Sequence, residues 1–424
     1  MIGPVADNGR GAFGARVAEL RARRGLTQKD LATAVGRTTS WLSQVERGVQ
    51  PVNRLDVLRL LVDGLGVAVT ELRPDAPPDP AEPSPPPNDL DRARLVLSGH
   101  PALGTLLSLG ERRPDPSLPE LSADVERVWA LAHSSRHAEL TVALSALVPA
   151  LERTTRTAGK RERAMSYGLL ARTYQALSAA FVRQDEADAA WVAADRSIAA
   201  AEMSGRVLDV FAGTYRLAHA CVWLKRYDQA EHVARAAADA LERSVGESGG
   251  SDEKLSLLGA FHLVLALVHA RSGNRADARH ATECARRVAR RMGRNRNDFN
   301  LEFGPTNVEV HAVAVAVDLG DAGEALDVAG QLDTAGMSTE RQARFALDVG
   351  RAHAQLRHVD DAVERFLAAE QLAPEMVRSH TAARAAIRDL MLVAGRSASP
   401  ELRALAERTD AMGQVASDGS VTHW

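Results

Sequence analysis

The chain has 424 residues, of which 45% are hydrophobic, 25% charged and only 4% aromatic, and its formal net charge is −3. Chains of this length fold on average as two or three domains with sizeable cores, which excludes disorder throughout. The two cysteines, Cys221 and Cys284, belong to no CxxC or Cys/His cluster, so the sequence excludes a disulfide-stabilised secreted domain and predicts a reduced, cytoplasmic protein.

Composition and charge also predict the fold class. Few aromatic residues together with abundant Ala, Leu, Arg and Glu favour closely packed helices, so we expect an all-α protein. The N-terminus has no basic segment followed by an apolar run, and no stretch reaches about 18 apolar residues, which predicts neither a signal peptide nor a membrane span. Residues 1–73 carry 11 Lys/Arg and 7 Asp/Glu, a balance of +4, which leaves −7 for the rest and predicts a nucleic-acid-facing N-terminal end.

Residues 1–73 contain five short helical patterns separated by glycine-containing turns, at roughly 12–24, 27–35, 38–47, 53–64 and 68–72. Thr27 with Asp30, and Asn53 with Asp56, place a side-chain acceptor at a helix start and a carboxylate three residues later. Apolar residues at helical spacing predict that the five helices close one small core.

The segment LTQKDLATAVGRTTSWLSQVERG (26–48), within these helices, resembles the helix-turn-helix of the Xre/phage-repressor family. This resemblance implies a lambda-repressor-like DNA-binding domain whose third helix enters the major groove. It also implies contacts with the DNA phosphates. Separately, it implies that Arg21 and Glu46 connect the first helix with the third. The residues expected to contact DNA are Gln28, Arg37, Thr38, Thr39, Ser40, Trp41, Gln44 and Arg47.

Trp41 departs from the family pattern, because that position is usually smaller. It either covers the edge of the core, which the sequence favours, or stacks against the sugar-phosphate backbone of DNA. The alternative for the whole motif is a helix-turn-helix that binds protein instead of DNA.

Residues 74–87 hold eight of the 18 prolines, which prevents a helix and predicts an extended spacer. The sequence therefore divides into a helix-turn-helix domain at 1–73, a proline-rich linker at 74–92, a helical repeat domain at 93–412 and a flexible tail at 413–424.

The repeat domain contains a recurring pair of positions, in which a small residue is followed twelve residues later by an alanine with a turn between them. Each pair predicts a helical hairpin, since small side chains allow antiparallel helices to approach closely. The pattern resembles the tetratricopeptide repeat and implies an α-solenoid; a more degenerate hairpin is expected at 120–155 and capping helices after 378. The pairs are Ser178/Ala190, Ala218/Ala230, Ala266/Ala278, Gly350/Ala362 and, less well, Val313/Ala325.

The segment RNRNDFNLEFGPTNVEVH (294–311) differs from the alanine-rich helices around it, because it is rich in Asn and contains Gly-Pro. Asn amides suit the backbone of a peptide in a concave groove, so one interpretation is an effector site formed by Asn300, Phe303, Asn307 and His311. The alternative is a structured loop in which Gly304-Pro305 ends one element and Thr306 or Asn307 caps the next. The overlapping segment FGPTNVEVHAVAVAVDLGDAGEAL (303–326) also resembles actinobacterial regulators that join the same DNA-binding type to such repeats.

No pattern predicts an enzyme, a cofactor or a metal site. His133 and His137 lie four residues apart, but no third ligand accompanies them, which favours surface histidines over a metal site. The leading hypothesis is a sequence-specific transcriptional regulator, a homodimer on a double-stranded DNA operator, whose repeats bind a peptide or small-molecule effector. The alternative is a protein-interaction scaffold in which DNA binding is secondary.

Overall fold

The computed structural model describes residues 8–50, 52, 55–67, 69–72, 90–98, 116–248 and 250–412. Every regular element in these ranges is a helix, which confirms the all-α prediction. The proline-rich segment up to residue 89, the predicted tail at 413–424 and the predicted cap at Asn53 lie outside the described residues.

Five helices form the N-terminal head (residues 8–72), and their bounds agree closely with the predicted ones. They share one core, built from the apolar residues that the helical spacing selected, such as Val17, Leu31 and Leu61. Burial of this apolar surface is the main force that holds so small a domain together. The helices are α1 (Asn8–Arg23), α2 (Gln28–Ala34), α3 (Thr39–Glu46), α4 (Leu55–Leu65) and α5 (Val69–Leu72).

Helix α1 begins at Asn8, four residues earlier than the sequence predicted. The prediction avoided the glycines near the N-terminus because glycine weakens a helix. A glycine is nevertheless required at position 14, since a Cβ there would lie 2.3 Å from the carbonyl oxygen of Val45. The missing side chain lets α1 pack directly on the end of α3.

The predicted cap of α2 is confirmed. The Thr27 hydroxyl accepts a 3.1 Å hydrogen bond from the backbone N–H of Asp30, and the Asp30 carboxylate accepts one of 2.9 Å from the N–H of Thr27. Thr38 caps α3 in a similar way, with its hydroxyl 3.1 Å from the backbone nitrogen of Trp41. Both helices of the helix-turn-helix therefore begin at positions that the local sequence specifies.

The repeat body (residues 90–412) starts inside the segment that the sequence assigned to the linker. Leu90 is buried among the first repeat helices, and helix α6 (Asp91–Ser98) follows it directly. The predicted linker end at residue 92 is therefore wrong by a few residues, because the apolar side chain of Leu90, next to the proline segment, is buried in the core of the repeat body.

Six helical hairpins follow α6, and three shorter helices cap them. The hairpins are α7 (Leu118–His133) with α8 (His137–Thr157), α9 (Lys160–Arg183) with α10 (Ala187–Ser204), α11 (Val207–Trp223) with α12 (Tyr227–Ser248), α13 (Asp252–Arg271) with α14 (Arg275–Met292), α15 (Pro305–Leu319) with α16 (Ala322–Ala329), and α17 (Thr339–Gln355) with α18 (Val359–Leu372). The caps are α19 (Pro374–Ser379), α20 (Thr381–Ala394) and α21 (Pro400–Arg408).

The recurring small residues lie where the two helices of each hairpin meet. The Ser178 hydroxyl donates a 2.9 Å hydrogen bond to the carbonyl of Ala190, its partner in the pattern. A Cβ on Gly350 would lie 2.8 Å from the ring of Phe366, so only glycine fits there. Each alanine of the predicted pairs is fully buried. The spacing of twelve residues therefore marks the hairpin contacts, as predicted.

Each of the six hairpin turns contains one residue in the left-handed region. Four of these residues carry side chains, although side chains disfavour that conformation. Glycine occupies the position only in the turns of α13–α14 and α15–α16. The six residues are Ser135, Asp185, Lys225, Gly273, Gly320 and Arg357.

The repeat body closes on itself, because its first hairpins contact its last ones. Nε of Arg183 lies 3.0 Å from the carboxylate of Glu340, and the backbone N–H of His137 donates a 2.7 Å hydrogen bond to Glu375. A hydrogen bond between Thr381 and Asp185 adds to the same contact. The inner face of the array therefore surrounds an interior.

One helix of the described residues, α13, is long and apolar enough to cross a membrane by length and composition. Of its most apolar window, 89% is buried against neighbouring repeat helices, as in the central helix of a helical array.

Candidate nucleic-acid interface and repeat interior

The predicted DNA-binding helix, α3, is tied to the rest of the head by one carboxylate. Glu46 accepts hydrogen bonds from the Arg21 guanidinium at 2.5 and 3.1 Å, which agrees with the tie between the first and third helices that the resemblance implied. Glu46 also accepts a 2.7 Å hydrogen bond from the side-chain amide of Gln28. The Gln28 amide therefore points to Glu46, and the expected phosphate contact requires it to rotate.

The N-terminal end of α3 packs against the repeat body. The backbone N–H of Thr38 donates a 3.2 Å hydrogen bond to the carbonyl of Ser272, and the Arg37 guanidinium lies 3.4 Å from the carbonyl of Ala270. Gly273 lies directly under Trp41, because a Cβ on this glycine would be 3.0 Å from the indole ring. These contacts place α3 on the turn between α13 and α14.

A second contact joins the head to the next turn of the array. Gln50 is buried, and its side-chain amide donates a 3.0 Å hydrogen bond to the carbonyl of Leu319. The guanidinium of Arg275 lies 3.1 Å from the other end of the same amide. The sequence analysis missed Gln50, since a glutamine at the end of a helix-turn-helix carries no local sign of a partner 269 residues away.

A cleft of about 410 Å³ remains between the head and the repeat body. Ser40 and Gln44 line it from the head, and Asn274, Arg279 and Asp318 line it from the repeats. A cleft of this volume is too small to hold a DNA duplex.

The structure thus places most of the predicted DNA-contacting residues at the junction with the repeat body. Thr39, Ser40 and Arg47 remain exposed, although Ser40 borders the cleft, and the Arg47 guanidinium hydrogen-bonds the Ser43 carbonyl of its own helix. Trp41 is only 8% exposed, with the Arg37 guanidinium 5.5 Å from its ring centre. In this arrangement Trp41 covers the edge of the core, the alternative that the sequence favoured. The residues at the junction are Arg37, Thr38, Ser40, Trp41 and Gln44.

The four predicted effector contacts have different environments. Phe303 is fully buried in the repeat core and packs on Gly259, whose missing side chain makes room for the ring. Its assignment to the ligand is therefore wrong. Asn307 is also buried, whereas Asn300 and His311 are partly exposed and lie on the interior.

The segment around these residues is a structured loop, as the alternative interpretation predicted. Gly304 and Pro305 start α15, but neither Thr306 nor Asn307 caps it. The Asn295 side chain does so instead, by accepting a 3.1 Å hydrogen bond from the N–H of Thr306.

His133 and His137 are not surface residues, which corrects the sequence prediction. The closure of the array covers both of them. Nε2 of His133 lies 3.1 Å from the side-chain oxygen of Asn300, and its other ring nitrogen lies 3.2 Å from Glu302. His137 is fully buried, and burial together with the positive charge of Arg183 lowers its pKa to about 4.

Arginine and aromatic side chains line the interior, a feature that the sequence analysis did not identify. The Arg216 guanidinium lies between the rings of Trp129 and Tyr215, at 5.3 and 5.2 Å from their centres. Burial lowers the pKa of Arg216 to about 10. The spacing of Tyr215, His219 and Trp223 by four residues is the sequence sign of this lining, because it places three rings on one face of α11.

One group of described residues could hold a metal ion by geometry. The ligand atoms of His353, His358 and Asp361 lie within 4.8 Å of one another at the turn between α17 and α18. His358 and Asp361 are exposed, and such groups are common on protein surfaces without a metal ion.

Comparison with known proteins supports the assignment of the head. Residues 12–74 match the family model described as a helix-turn-helix domain. No protein of curated function matches the chain significantly in sequence.

Two solved structures resemble the whole chain loosely. One is PlcR of Bacillus thuringiensis in complex with the peptide PapR7 and DNA, at 12% identity and a TM-score of 0.32, with 88% of this chain and 99% of that chain covered. The other is a mutant of PrgX, at 8% identity and a TM-score of 0.22, with coverage of 93% and 99%.

Proposed function

We propose that the chain is a DNA-binding transcriptional regulator whose repeat body binds an effector and controls the access of the head to DNA. The observation that supports this proposal best is the packing of α3 against the turn between α13 and α14, together with the contact of Gln50 with the next turn of the repeat body. A helix-turn-helix reads bases with the N-terminal side chains of its second helix, and these are the side chains at the junction. In this proposal the chain is a cytoplasmic binding protein and not an enzyme.

The docked head is the form that does not bind DNA. Thr38, Trp41 and Gln44 cannot contact the repeat body and a major groove at the same time, so DNA binding requires the head to leave its place. The apparent affinity for DNA is then reduced by the fraction of molecules in which the head is docked. An effector that disfavours docking raises this affinity.

Contacts of Asp318 connect the interior with the docking turns. Its carboxylate accepts hydrogen bonds from Arg271 at 3.0 Å and from Arg351 at 2.8 Å. Arg271 also lies 4.2 Å from the ring centre of Trp223 in the interior lining, while Asp318 itself borders the cleft under the head. A ligand that moves Trp223 therefore acts on the turn that holds Gln50.

The active species in this proposal is a homodimer. One small head makes too few contacts for tight specific binding, so two heads are expected to meet half-sites about 34 Å apart, or a multiple of that distance. Release of both heads from their repeat bodies then allows the dimer to bind one operator.

The test compares two glycine substitutions in the full chain. Gly273→Asn keeps a residue that tolerates positive φ but places its side chain against Trp41, whereas Gly205→Asn has the same backbone conformation in open space. We expect Gly273→Asn to tighten binding to a duplex from upstream of the protein's own gene about tenfold, the effect of removing about 1.4 kcal/mol of docking free energy. Fluorescence anisotropy of the labelled duplex measures this, and Gly205→Asn should match the wild type.

Two outcomes would contradict the proposal. Equal affinities for all three proteins would show that docking does not control DNA binding. Absence of binding at low salt in all three, together with a salt-resistant complex with another protein, would instead favour the interaction scaffold.

A further inference from the structure

Four arginines from three different helices surround one carboxylate in the interior of the repeat body. Arg183 ends α9, Arg216 lies in α11, and Arg341 and Arg344 lie in α17 beside Glu340. Their charges oppose one another: Arg183 and Arg341 disfavour the charged form of Arg216, and the same two disfavour that of Arg344. The interior therefore concentrates positive charge.

Three carboxylates of the described residues act on this cluster: Glu340 acts on all four arginines, Glu302 on Arg341 and Asp348 on Arg344. Asp348 is also paired with Arg351 at 2.7 Å, so arginines still outnumber carboxylates here. Glu340 pairs with Arg183 at 3.0 Å and lies 3.8 Å from Arg341. Arg216 and Arg344 form no ion pair with a carboxylate of the described residues. Arg216 instead lies over the Trp129 ring and donates hydrogen bonds to the carbonyls of Phe299 and Asn300, and Arg344 lies over the Trp223 ring. A buried cation without a counterion is costly, which makes this interior favourable for an anion.

Several donors in this cluster are also unused among the described residues. Nη1 of Arg183, Nε of Arg216 and Nε of Arg341 have no hydrogen-bond partner, although these side chains belong to residues only 9%, 7% and 7% exposed. Buried polar groups in folded proteins are nearly always hydrogen-bonded. Nε of Arg341 lies 3.8 Å from Glu340, so Nη1 of Arg183 and Nε of Arg216 are the donors that best indicate a hydrogen-bond-accepting group brought by a ligand.

A wall of aromatic rings adjoins the arginines, in which His219 and Trp223 are stacked and Tyr215 is tilted by 42° from His219. The rings of Tyr215 and His219 are 4.9 Å apart, those of His219 and Trp223 are stacked at 5.7 Å, and the Arg344 guanidinium lies 5.4 Å from the Trp223 ring centre. His219, Trp223 and Arg344 are partly exposed, so a ligand can reach both the wall and the charge.

The neighbouring histidines do not supply charge. Burial and the surrounding arginines lower the pKa of His311 to about 3 and that of His219 well below its ordinary value. Both rings are neutral at pH 7, so the positive charge of the interior comes from the arginines alone.

We propose that the interior of the repeat body binds a small molecule that joins an oxyanion to a flat ring, with the oxyanion on the Arg183, Arg216, Arg341 and Arg344 cluster and the ring along Tyr215, His219 and Trp223. This inference rests on the proposed function, since it assigns the chemical class of the effector. The closure of α7–α9 on α17–α19 favours a small molecule over a long peptide, because it limits the length that the interior can hold.

The first experiment uses two fluorescent probes of nearly equal shape. 1-Anilinonaphthalene-8-sulfonate carries an oxyanion beside its rings, and N-phenyl-1-naphthylamine lacks it. We expect the sulfonate to bind one site per chain, and the neutral probe to bind about tenfold more weakly, the effect of a charge-assisted hydrogen bond. Equal affinities would overturn the proposal.

Substitutions then locate the site. Arg344→Gln should weaken the sulfonate about tenfold, while Arg344→Lys, which keeps the charge, should retain more of the affinity. Arg243→Gln is the matched control, because Arg243 is exposed on α12. Circular dichroism melts check that each variant folds. Unchanged binding in a folded Arg344→Gln protein, or an equal loss in the Arg243→Gln protein, would refute the site.

Competition distinguishes the oxyanion and the size of the ligand. Displacement of the sulfonate by salicylate or by phenyl phosphate supports the proposal and identifies a carboxylate or a phosphate as the preferred group. Displacement by an acidic octapeptide at lower concentration than either of them contradicts the small-molecule assignment. If the probe binds and DNA does not, the proposed regulator function is contradicted and the anion site is supported. If DNA binds and the probe does not, the anion site is contradicted and the regulator function is supported.

Discussion

The guanidinium of Arg183 and the carboxylate of Glu340 form a buried ion pair, with 3.0 Å between Nε and Oε1, across 157 residues of sequence. This pair joins the end of α9 to the start of α17 and so closes the repeat body. Burial opposes ionisation of Glu340, but the arginines around it hold its pKa well below the ordinary value. The closure of the array and the charge of its interior therefore depend on the same residue.

Replacement of Glu340 by Gln should destabilise the protein strongly. The substitution keeps the shape of the side chain but leaves the buried Arg183 without its ion-pair partner and Arg341 with Glu302 alone, which costs about 3 to 5 kcal/mol. Urea unfolding followed by circular dichroism gives the free energy of unfolding. Glu364→Gln, at an exposed position of α18, serves as the control and should change it little. Equal effects would mean that Glu340 does not hold the array closed.

Two glycine-to-alanine substitutions test the packing of the hairpins. Gly350→Ala places a methyl group 2.8 Å from the Phe366 ring and should cost about 1 to 3 kcal/mol of unfolding free energy. Gly323→Ala adds the same methyl group to α16 where nothing lies within 4 Å, and should stabilise by about 0.5 to 1 kcal/mol. Thermal melts of both variants give the comparison, which fails if both shift the melting temperature in the same direction.

The free energy of unfolding of the repeat body should decrease as the pH is lowered from about 6.5 to about 4. His137 is buried and neutral, with its pKa lowered to about 4 by burial and by Arg183, against the opposing effect of Glu340. His137 binds a proton near pH 6.5 in the unfolded chain but not in the folded one, so it contributes a loss of at most about 1.4 kcal/mol for each pH unit in this window. His219 and His311, whose pKa values are also lowered, add to this loss.

His137→Asn should reduce this pH dependence, measured as the difference in urea unfolding free energy between pH 7 and pH 5. The buried hydrogen bond to Glu375 comes from the backbone of residue 137 and survives the change. His232→Asn, at an exposed position, should leave the difference at its wild-type size. If the two variants behave alike, His137 does not contribute to the pH dependence.

Base recognition by the head is tested with two further substitutions, in the Gly273→Asn background where the head is free. Gln44→Ala should weaken binding to the specific site by about 1 to 3 kcal/mol and binding to random duplex much less. Arg47→Ala should weaken both and lower the dependence of affinity on salt, as expected for a phosphate contact. An equal effect of Gln44→Ala on both duplexes would exclude base recognition by this residue.

The hairpins and the head were predictable because their determinants are local. Thr27 and Asp30 cap α2 within one turn, and Ser178 meets Ala190 after twelve residues. The same reasoning failed at Phe303, whose place in the core depends on the missing side chain of Gly259 on another helix. A residue that differs in type from the rest of its segment can therefore be an ordinary core residue in the folded protein.

The charged interior and the docked head were not predictable from the sequence. Arg183, Arg216 and Arg341 lie on three helices, and only the closure of the array brings them together. Likewise, nothing near Gln50 indicates that its partner is the carbonyl of Leu319. These features depend on the curvature of the whole array, which no short motif specifies.

The two glycine turns have a mechanical consequence. The head rests on the turn at Gly273 through Trp41 and reaches the following turn through Gln50, so a single rigid body bridges two neighbouring hairpins. Such a bridge fits only one distance and one angle between the two hairpins. If the proposed function holds, a ligand need not touch the head at all, because any change that it makes in the pitch of the array at these two hairpins alters the docking of the head and therefore the affinity for DNA.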